Sequence, residues 1–260
     1  MSAPLDVDVL RGRLVGSFAK LDVVAATGST NADLRREVVD RAVLIAESQT
    51  AGQGRRGRGW VSPGGGLYLS VLFRPDGVPA NRLPWLTLLA GVALVRTAAS
   101  VGVQARLKWP NDLLVDDLKA AGVLAEITPA HAVIVGIGLN VARLPPGVEP
   151  GAGGLRPTSL EEHADGPVDR TEVAVTLLGE LAGLERVWRE AHGDPERSGL
   201  LDEYRRHCGT LGRSVRVELS GSQLSGTALS VAVDGTLVVR DEAGVDHAVS
   251  AGDVVHLRVR

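Results

Sequence analysis

The segment from Leu83 to Ala99 is apolar almost all the way round a helix and therefore limits the folds open to this chain. A helix without a polar face is stable only when other elements cover it. Pro84 near its start suits a first helical turn, where no backbone donor is lost. The apolar runs Val43 to Ala46, Leu67 to Phe73 and Ala132 to Val141 predict strands of a sheet on which this helix packs.

Further segments extend this mixed pattern. The run from Leu21 to Ala25 predicts a first strand, and Ala32 to Val39 predicts a helix that Thr30 and Asp33 would begin as a capping box. The spacing of apolar residues from about Thr171 to Ala191 predicts a second long helix. Because helices and strands alternate irregularly, the expected fold class is α+β, a mixed sheet with packed helices rather than a barrel.

The sequence changes character after Tyr204. Short β-rich segments separated by Gly or Asp-Gly turns follow from Leu211 onward, including the turn from Val233 to Thr236. Five strands in about fifty residues predict a small barrel that forms its own module. We therefore expect two domains, residues 1–208 and residues 209–260.

Composition excludes several classes of protein. The 28 Lys and Arg residues against 31 Asp and Glu residues exclude a broad nucleic-acid-binding surface. A single cysteine, Cys208, excludes a disulfide scaffold, and six dispersed histidines give no metal-binding pattern. We find neither a signal-peptide pattern nor 18 consecutive apolar residues, so we expect a cytoplasmic protein without a membrane span.

The stretch from Ala51 to Trp60, AGQGRRGRGW, holds three arginines and four glycines in ten residues. It contains G-x-G-x-x-G, but the glycines and proline that follow leave no helix to point at a pyrophosphate, which excludes a dinucleotide-binding turn. Arginines on such a loop can bind phosphate or carboxylate by two-point contacts. A solvated basic loop between two strands explains the same residues equally well.

Three other stretches are open to two interpretations. The stretch Lys108 to Asp112, KWPND, places a lysine, an amide and a carboxylate around a proline-fixed turn, which by itself is more typical of an ordinary turn than of a site. In Gly136 to Asn140, GIGLN, glycines interrupt an apolar strand and indicate close approach of a ligand or of another backbone. Lys119 opens a strand, where a lone lysine is usually solvated.

The Pro/Gly-rich stretch from Leu144 to Pro157 is expected to be a loop without a chemical role.

Taken in order, these stretches resemble the motifs of the biotin protein ligases, also called biotin–acetyl-CoA-carboxylase ligases. The motifs are Thr27 to Asn31, Gln49 to Trp60, Lys108 to Asp112, Lys119 to Gly122 and Gly136 to Asn140. The resemblance implies the class II synthetase-like core of biotin and lipoate ligases and a C-terminal SH3-like barrel. It also implies that biotin and ATP, with Mg2+, form biotinyl-5′-AMP, and that biotin then passes to a lysine of the biotin carboxyl carrier domain of an acyl-CoA carboxylase.

The resemblance assigns roles to individual residues as well. The implied catalytic residues are Lys119, Arg55 and Asp112, with Asp112 orienting the incoming carrier lysine. The implied biotin-binding residues are Ser29, Thr30, Asn31, Gln49, Gly52, Gln53, Arg55, Lys119, Gly122, Gly136 and Gly138. The implied ATP-binding residues are Arg55, Arg56, Arg58, Trp60, Lys108, Asn111 and Asn140. The stretch from Ala51 to Trp60, called the arginine loop below, is expected to close over the reactive intermediate as a lid. Trp60 is expected either to stack on adenine or to anchor the loop.

Two positions depart from the family pattern. Gln53 stands where the family commonly has arginine, and Ala120 stands where it usually has leucine. A buried leucine there would contribute about 1–2 kcal/mol more apolar contact. The charges at Arg55, Arg56 and Lys119 are kept, so we expect activity to persist.

Two alternatives to a biotin ligase remain. One is a lipoate protein ligase, which shares the adenylation logic, and the other is a non-catalytic module that binds an acidic partner through the arginine loop. About 20 residues precede the first predicted strand, too few for a helix-turn-helix domain. We therefore expect the monofunctional class, with no binding to operator DNA and with a monomer or weak homodimer as the oligomeric state.

Overall fold

The largest element of the molecule is a seven-stranded mixed sheet. It is seen in a computed structural model that describes residues 3–150, 154–219, 222–250 and 252–257. The strands are β1 (Lys20–Val24), β2 (Ala42–Ala46), β3 (Leu67–Phe73), β4 (Arg106–Lys108), β5 (Asp112–Val115), β6 (Leu118–Ile127) and β7 (Val133–Leu139). Their order is β1-β2-β3-β7-β6-β5-β4, with β1 parallel to β2 and the other neighbours antiparallel. The predicted mixed sheet is therefore confirmed.

Long helices pack on this sheet. The helices are α1 (Val7–Arg13), α2 (Thr30–Leu34), α3 (Trp85–Ser100), α4 (Arg170–Glu190) and α5 (Leu200–His207). Helix α3 lies between α4 and strands β5, β6 and β7, and twelve of its sixteen residues are buried. The stretch Ala80–Ser100 has the length and hydropathy of a membrane span, but 72% of its apolar 18-residue window is buried inside the protein. Helix α3 is thus the predicted core helix, and Pro84 is its N-cap.

Helix α2 is shorter than the sequence pattern predicts. It ends at Leu34, and its N-cap is Ser29 without a side-chain capping bond, so the predicted capping box is wrong. The carboxylate of Asp33 instead accepts a hydrogen bond from the hydroxyl of Thr27. The predicted helix also fails toward its C-terminus because Val38 is 70% exposed and has no apolar surface on which to pack.

The C-terminal residues form a separate antiparallel sheet. Its strands are β8 (Ser214–Glu218), β9 (Gln223–Val231), β10 (Leu237–Arg240), β11 (Asp246–Val249) and β12 (Asp253–His256). The order is β11-β10-β9-β8-β12, and among the described residues no pairing joins the outer strands β11 and β12. The five predicted strands are confirmed as an antiparallel sheet.

Two tryptophans join the two sheets. The indole nitrogen of Trp85 donates to the carbonyl oxygen of Val233 at 2.8 Å, and that of Trp109 donates to the carbonyl oxygen of Gly235 at 3.0 Å. Both indoles are buried. The turn between β9 and β10 is therefore held against the start of α3 and the KWPND turn.

Candidate active site

A hollow of about 480 Å³ lies where the two sheets meet. Strands β5, β6 and β7, the arginine loop and β12 line it. It brings together the predicted residues Ser29, Thr30, Asn31, Gln49, Gln53, Arg55, Arg58, Trp60, Lys108, Asn111, Asp112, Lys119, Gly122, Gly136, Gly138 and Asn140. Gly52 and Arg56 do not line it. A second hollow of about 740 Å³ behind the β4–β5 hairpin contains none of the predicted residues, so we assign the site to the smaller one.

Three charged side chains meet on strands β4, β5 and β6. Lys108 and Asp112 are cross-strand partners, and the Lys108 Nζ lies 3.5 Å from the Asp112 Oδ2. The Lys119 Nζ lies 2.7 Å from the Asp112 Oδ1. Burial lowers the pKa of Lys108, because the interior solvates an ammonium poorly. One carboxylate thus stands between two cations at one wall of the hollow.

The arginine loop is folded over this cluster. A 3-10 turn at Arg55–Gly57 is closed by an antiparallel bridge between Gln53 and Gly59. One guanidinium nitrogen of Arg55, Nη1, donates to the Oδ1 of Asn111 at 3.1 Å, and burial lowers the pKa of Arg55. The loop is therefore packed against the site rather than extended into solvent.

A buried polar group forms the opposite end of the hollow. The Gln49 Oε1 accepts from the backbone N of Thr30 at 2.9 Å and lies 3.2 Å from its Oγ1. The Ser70 hydroxyl lies 2.7 Å from the Thr30 Oγ1 and 2.6 Å from the Asn31 Oδ1. The Asn31 Nδ2 donates to the Glu126 Oε2 at 2.7 Å. These fixed donors and acceptors suit a neutral polar ligand group.

Glycines bring ring and amide groups close to the strands. A Cβ at Gly138 would overlap the indole of Trp60, and one at Gly122 would meet that ring at 3.1 Å. A Cβ at Gly136 would overlap the side-chain amide of Asn31. The Lys119 ammonium lies 5.4 Å from the centroid of the Trp60 ring, within cation–π range. Trp60 therefore forms a wall of the hollow over β6 and β7.

Sequence reasoning missed several lining residues. The stretch Leu144–Pro157 was expected to have no chemical role, but its described residues Leu144, Val148, Glu149, Pro150, Leu155 and Pro157 line the hollow; residues 151–153 lie outside the described part. Ser70 does not line the hollow but contacts Thr30 and Asn31, and it was detectable as the serine in the otherwise apolar and aromatic buried strand LYLSVLF. The contribution of β12 had no sequence signal, because only the packing of the two sheets brings it there.

The Asn140 side chain is occupied by a backbone contact. Its Nδ2 donates to the carbonyl oxygen of Thr158 at 2.9 Å. The backbone of Thr158 in turn pairs with Lys119, whose carbonyl oxygen accepts from the Thr158 N at 2.9 Å. Asn140 thus helps to hold the segment that borders Lys119, beside the role predicted for it in nucleotide binding.

Comparison with known proteins gives the class and then the family. Residues 23–140 match the Biotin/lipoate A/B protein ligase family, and residues 210–257 match the Biotin protein ligase C terminal domain. The chain is 42% identical to a biotin–[acetyl-CoA-carboxylase] ligase of Mycobacterium tuberculosis over 98% of its own length and 97% of the relative. It is 31% identical to the bifunctional ligase/repressor BirA of Escherichia coli over 87% of this chain and 70% of that protein.

The fold gives the same result. The structure of a biotin protein ligase from Aquifex aeolicus in complex with biotin and ATP matches with a TM-score of 0.78 and 27% identity, over 93% of this chain and 100% of that one. Fold and site together define a ligase of the biotin/lipoate class. Within that class, the chain belongs to the biotin protein ligase family.

Proposed function

We propose that this protein joins biotin to ATP as biotinyl-5′-AMP and then transfers biotin to a lysine of the biotin carboxyl carrier domain of an acyl-CoA carboxylase. The observation that carries the proposal is the convergence of Lys119, Lys108 and Arg55 on a hollow whose other end is a buried, neutral polar group. The names of the relatives, which include a biotin–[acetyl-CoA-carboxylase] ligase, support the choice of substrates.

In the first step, an oxygen of the biotin carboxylate attacks the α-phosphorus of ATP, and pyrophosphate leaves. Two anions must approach each other, so positioned cations are needed, each worth about 3–4 kcal/mol of transition-state stabilisation. We assign Lys119 to the carboxylate and α-phosphate, and Arg55 to the same centre from the loop.

We assign the biotin ring to the buried polar end. Ser29, Thr30, Gln49 and Asn31 offer donors and acceptors to a ureido group, and the Trp60 indole that lies on Gly122 and Gly138 forms a flat apolar wall of the same hollow. The proposed biotin-binding set is Ser29, Thr30, Asn31, Gln49, Gly52, Gln53, Arg55, Lys119, Gly122, Gly136 and Gly138, of which Gly52 adjoins Gln49 and does not itself line the hollow. The indole of Trp60 packs on Gly122 and Gly138, so we place Trp60 at the biotin side rather than under adenine.

We assign the triphosphate to the arginine loop and the KWPND turn. The nucleotide-binding set is Arg55, Arg56, Arg58, Lys108, Asn111 and Asn140. Asp112 already pairs with two lysines, and the described residues hold no group of three His, Cys, Asp or Glu side chains able to bind a metal. We therefore propose that Mg2+ enters on the phosphates of ATP, as is usual for this ion. Bound there, it would neutralise phosphate charge.

In the second step, the carrier lysine attacks the acyl carbon and AMP leaves. Its amine must be neutral to attack. We propose that Asp112, held between Lys108 and Lys119, orients this amine, and that the proton lost by the new amide nitrogen passes to water.

We further propose a domain boundary between residues 208 and 209 and an SH3-like character for the C-terminal module. The pairing of β8 with β12, its first and last strands, supports this, because a small barrel brings its ends together. A cytoplasmic location, a monomer or weak homodimer, and no binding to operator DNA belong to the same proposal, the last supported by a net charge of −3.

The test is biotin-dependent exchange of pyrophosphate into ATP, run in parallel with biotin, lipoate and octanoate. We expect exchange with biotin alone and a fall of more than about tenfold in Lys119→Ala, because the variant loses a cation at the reacting centre. Lys20→Ala, which removes an exposed lysine paired with Glu37, is the matched control and should leave exchange unchanged. Exchange with lipoate alone would reassign the protein to the lipoate ligases, and no exchange with any acid would favour the non-catalytic module.

A further inference from the structure

One carboxylate of the C-terminal sheet is fastened to the arginine loop. The Arg58 Nη1 donates to the Asp253 Oδ2 at 2.8 Å, and its Nη2 donates to the Oδ1 at 3.0 Å. The Arg56 Nη1 lies 3.4 Å from the same Oδ2. Such a two-point contact fixes the direction of the guanidinium as well as its distance.

Backbone carbonyls of the same sheet complete the contact. The Arg55 Nη1 donates to the carbonyl oxygen of Gly252 at 3.2 Å, and the Arg56 Nη2 donates to that of Glu218 at 3.0 Å. Within the described residues, Asp253 is the acidic side chain that forms ion pairs with the loop arginines. All three arginines are thus held by β8 and by Gly252 and Asp253 at the start of β12.

The environment makes this contact stronger than an ordinary surface pair. The Asp253 side chain is 16% exposed, and its bonds to Arg58 hold the pKa of its carboxyl below the usual value. The loop that it fastens has four glycines in ten residues, so the open loop gains much conformational entropy. A single directional anchor therefore has a large influence on the balance between the folded-over and the open loop.

We propose that Asp253 is a positioning residue that keeps the arginine loop closed over the hollow, so that the acyl-adenylate is retained until the carrier arrives. This inference rests on the proposed function and gives the C-terminal module a part in it. Asp253 acts through Arg58 and Arg56 and takes no part in bond making. A mixed anhydride is destroyed by water, so an open loop would release or hydrolyse the intermediate instead of passing biotin on.

The opposite role makes a different prediction. If Asp253 merely occupied the arginines in place of phosphate, its removal would free them for ATP. The KM for ATP would then fall and retention would not change. If Asp253 positions the loop, its removal increases the loss of the intermediate and does not lower the KM for ATP.

The experiment compares Asp253→Asn, which keeps the shape and removes the charge, with Asp253→Glu, which keeps the charge. Asp246→Asn is the matched control, because Asp246 is an exposed aspartate of the same sheet that pairs with Arg240. The first measurement is cleavage of the substrate-free proteins by trypsin at the loop arginines. We expect cleavage of Asp253→Asn to be faster by about fivefold, with Asp253→Glu intermediate and the control like wild type.

The second measurement is AMP released per biotin transferred to the carrier, with hydroxylamine added to trap escaped intermediate. We expect this ratio to rise about fivefold in Asp253→Asn. Wild-type rates of tryptic cleavage in Asp253→Asn would overturn the inference, as would wild-type retention or a lowered KM for ATP. The trypsin measurement needs no substrate, so it separates failure of this inference from failure of the proposed function, which wild-type exchange decides.

Discussion

At the scale of single residues, the site depends on glycines of β7 that have no Cβ atom and so let other side chains lie against the strand. Gly138 lies under the Trp60 indole, so any side chain there must displace the ring. The glycines of GIGLN indicated close approach, and the structure gives the approaching groups as Trp60 at Gly138 and the amide of Asn31 at Gly136. Neither of these pairs was evident from the sequence.

We expect Gly138→Ala to lower the affinity for biotin by more than about tenfold, because the added methyl pushes Trp60 out of place and backbone in a packed strand does not yield. Isothermal titration with biotin measures this. Gly183→Ala is a suitable control, because Gly183 lies inside α4 with open space around it. That change should leave biotin affinity unaltered and raise the free energy of unfolding by up to about 1 kcal/mol. Undiminished affinity in Gly138→Ala would contradict the placement of Trp60.

At the scale of elements, the segment from Arg156 to Thr158 holds Lys119 in place. Lys119 donates its backbone N to the carbonyl oxygen of Arg156 and accepts from the N of Thr158, each at 2.9 Å. The Thr158 hydroxyl lies 2.6 Å from the Glu162 Oε2 and 2.8 Å from the His163 Nε2. The loop that lines the hollow is therefore tied through Thr158 to the strand that carries the lysine.

Thr158→Val keeps the volume of the side chain and removes its hydroxyl. We expect a loss of about 0.5–1.5 kcal/mol in the free energy of unfolding, because the Glu162 carboxylate and the His163 ring lose a hydrogen-bond partner. We also expect a larger change in kcat for exchange, which should fall, than in KM for biotin. The variant displaces Lys119 but leaves the buried polar end of the hollow intact. Denaturant unfolding and exchange kinetics measure the two effects. Equal changes in kcat and KM would count against a role in placing Lys119.

The elements themselves followed well from the sequence. The apolar runs fixed β2, β3, β7 and α3 to within two residues, because a fully buried element needs an uninterrupted apolar pattern. The pattern failed at α2, where exposed valines gave a helical spacing without a core to bury it. Spacing predicts a helix only where tertiary packing can use it.

At the scale of the whole molecule, a titratable side chain of the C-terminal sheet lies near charged residues of the seven-stranded sheet. The His256 Nε2 lies 3.0 Å from the Thr210 Oγ1, and its Nδ1 lies 3.3 Å from the Arg213 Nη1. Burial, together with the positive charges of Lys108 and Arg213, lowers the pKa of His256 to about 4. The nearby carboxylates of Asp117 and Asp112 act in the opposite direction and are outweighed.

This lowered pKa makes stability depend on pH in a defined direction. An unfolded histidine takes up its proton near pH 6.5, whereas His256 in the folded protein does so near pH 4. The contribution of neutral His256 is therefore complete above pH 6.5 and is lost as the pH falls from 6.5 to 4. We expect wild type to lose about 1–2 kcal/mol more than His256→Gln over this range, after allowance for solvent screening.

Denaturant unfolding at several pH values measures the difference. His131→Gln, which changes an exposed histidine of the β6–β7 turn, is the control and should follow wild type. Parallel curves for wild type and His256→Gln would show that His256 does not titrate as expected.

The sequence by itself determined the mixed sheet, its buried helices, the five C-terminal strands and the family, because apolar periodicity and short motifs are local properties of the chain. Only the tertiary structure decided that Asp253 meets Arg58, that residues of the loop from Leu144 line the hollow and that Trp60 lies on two glycines. These residue pairs are from about 60 positions apart, as Trp60 and Gly122 are, to 195 positions apart, as Arg58 and Asp253 are. The energies of these contacts depend on how whole sheets pack, and local sequence patterns do not predict that packing.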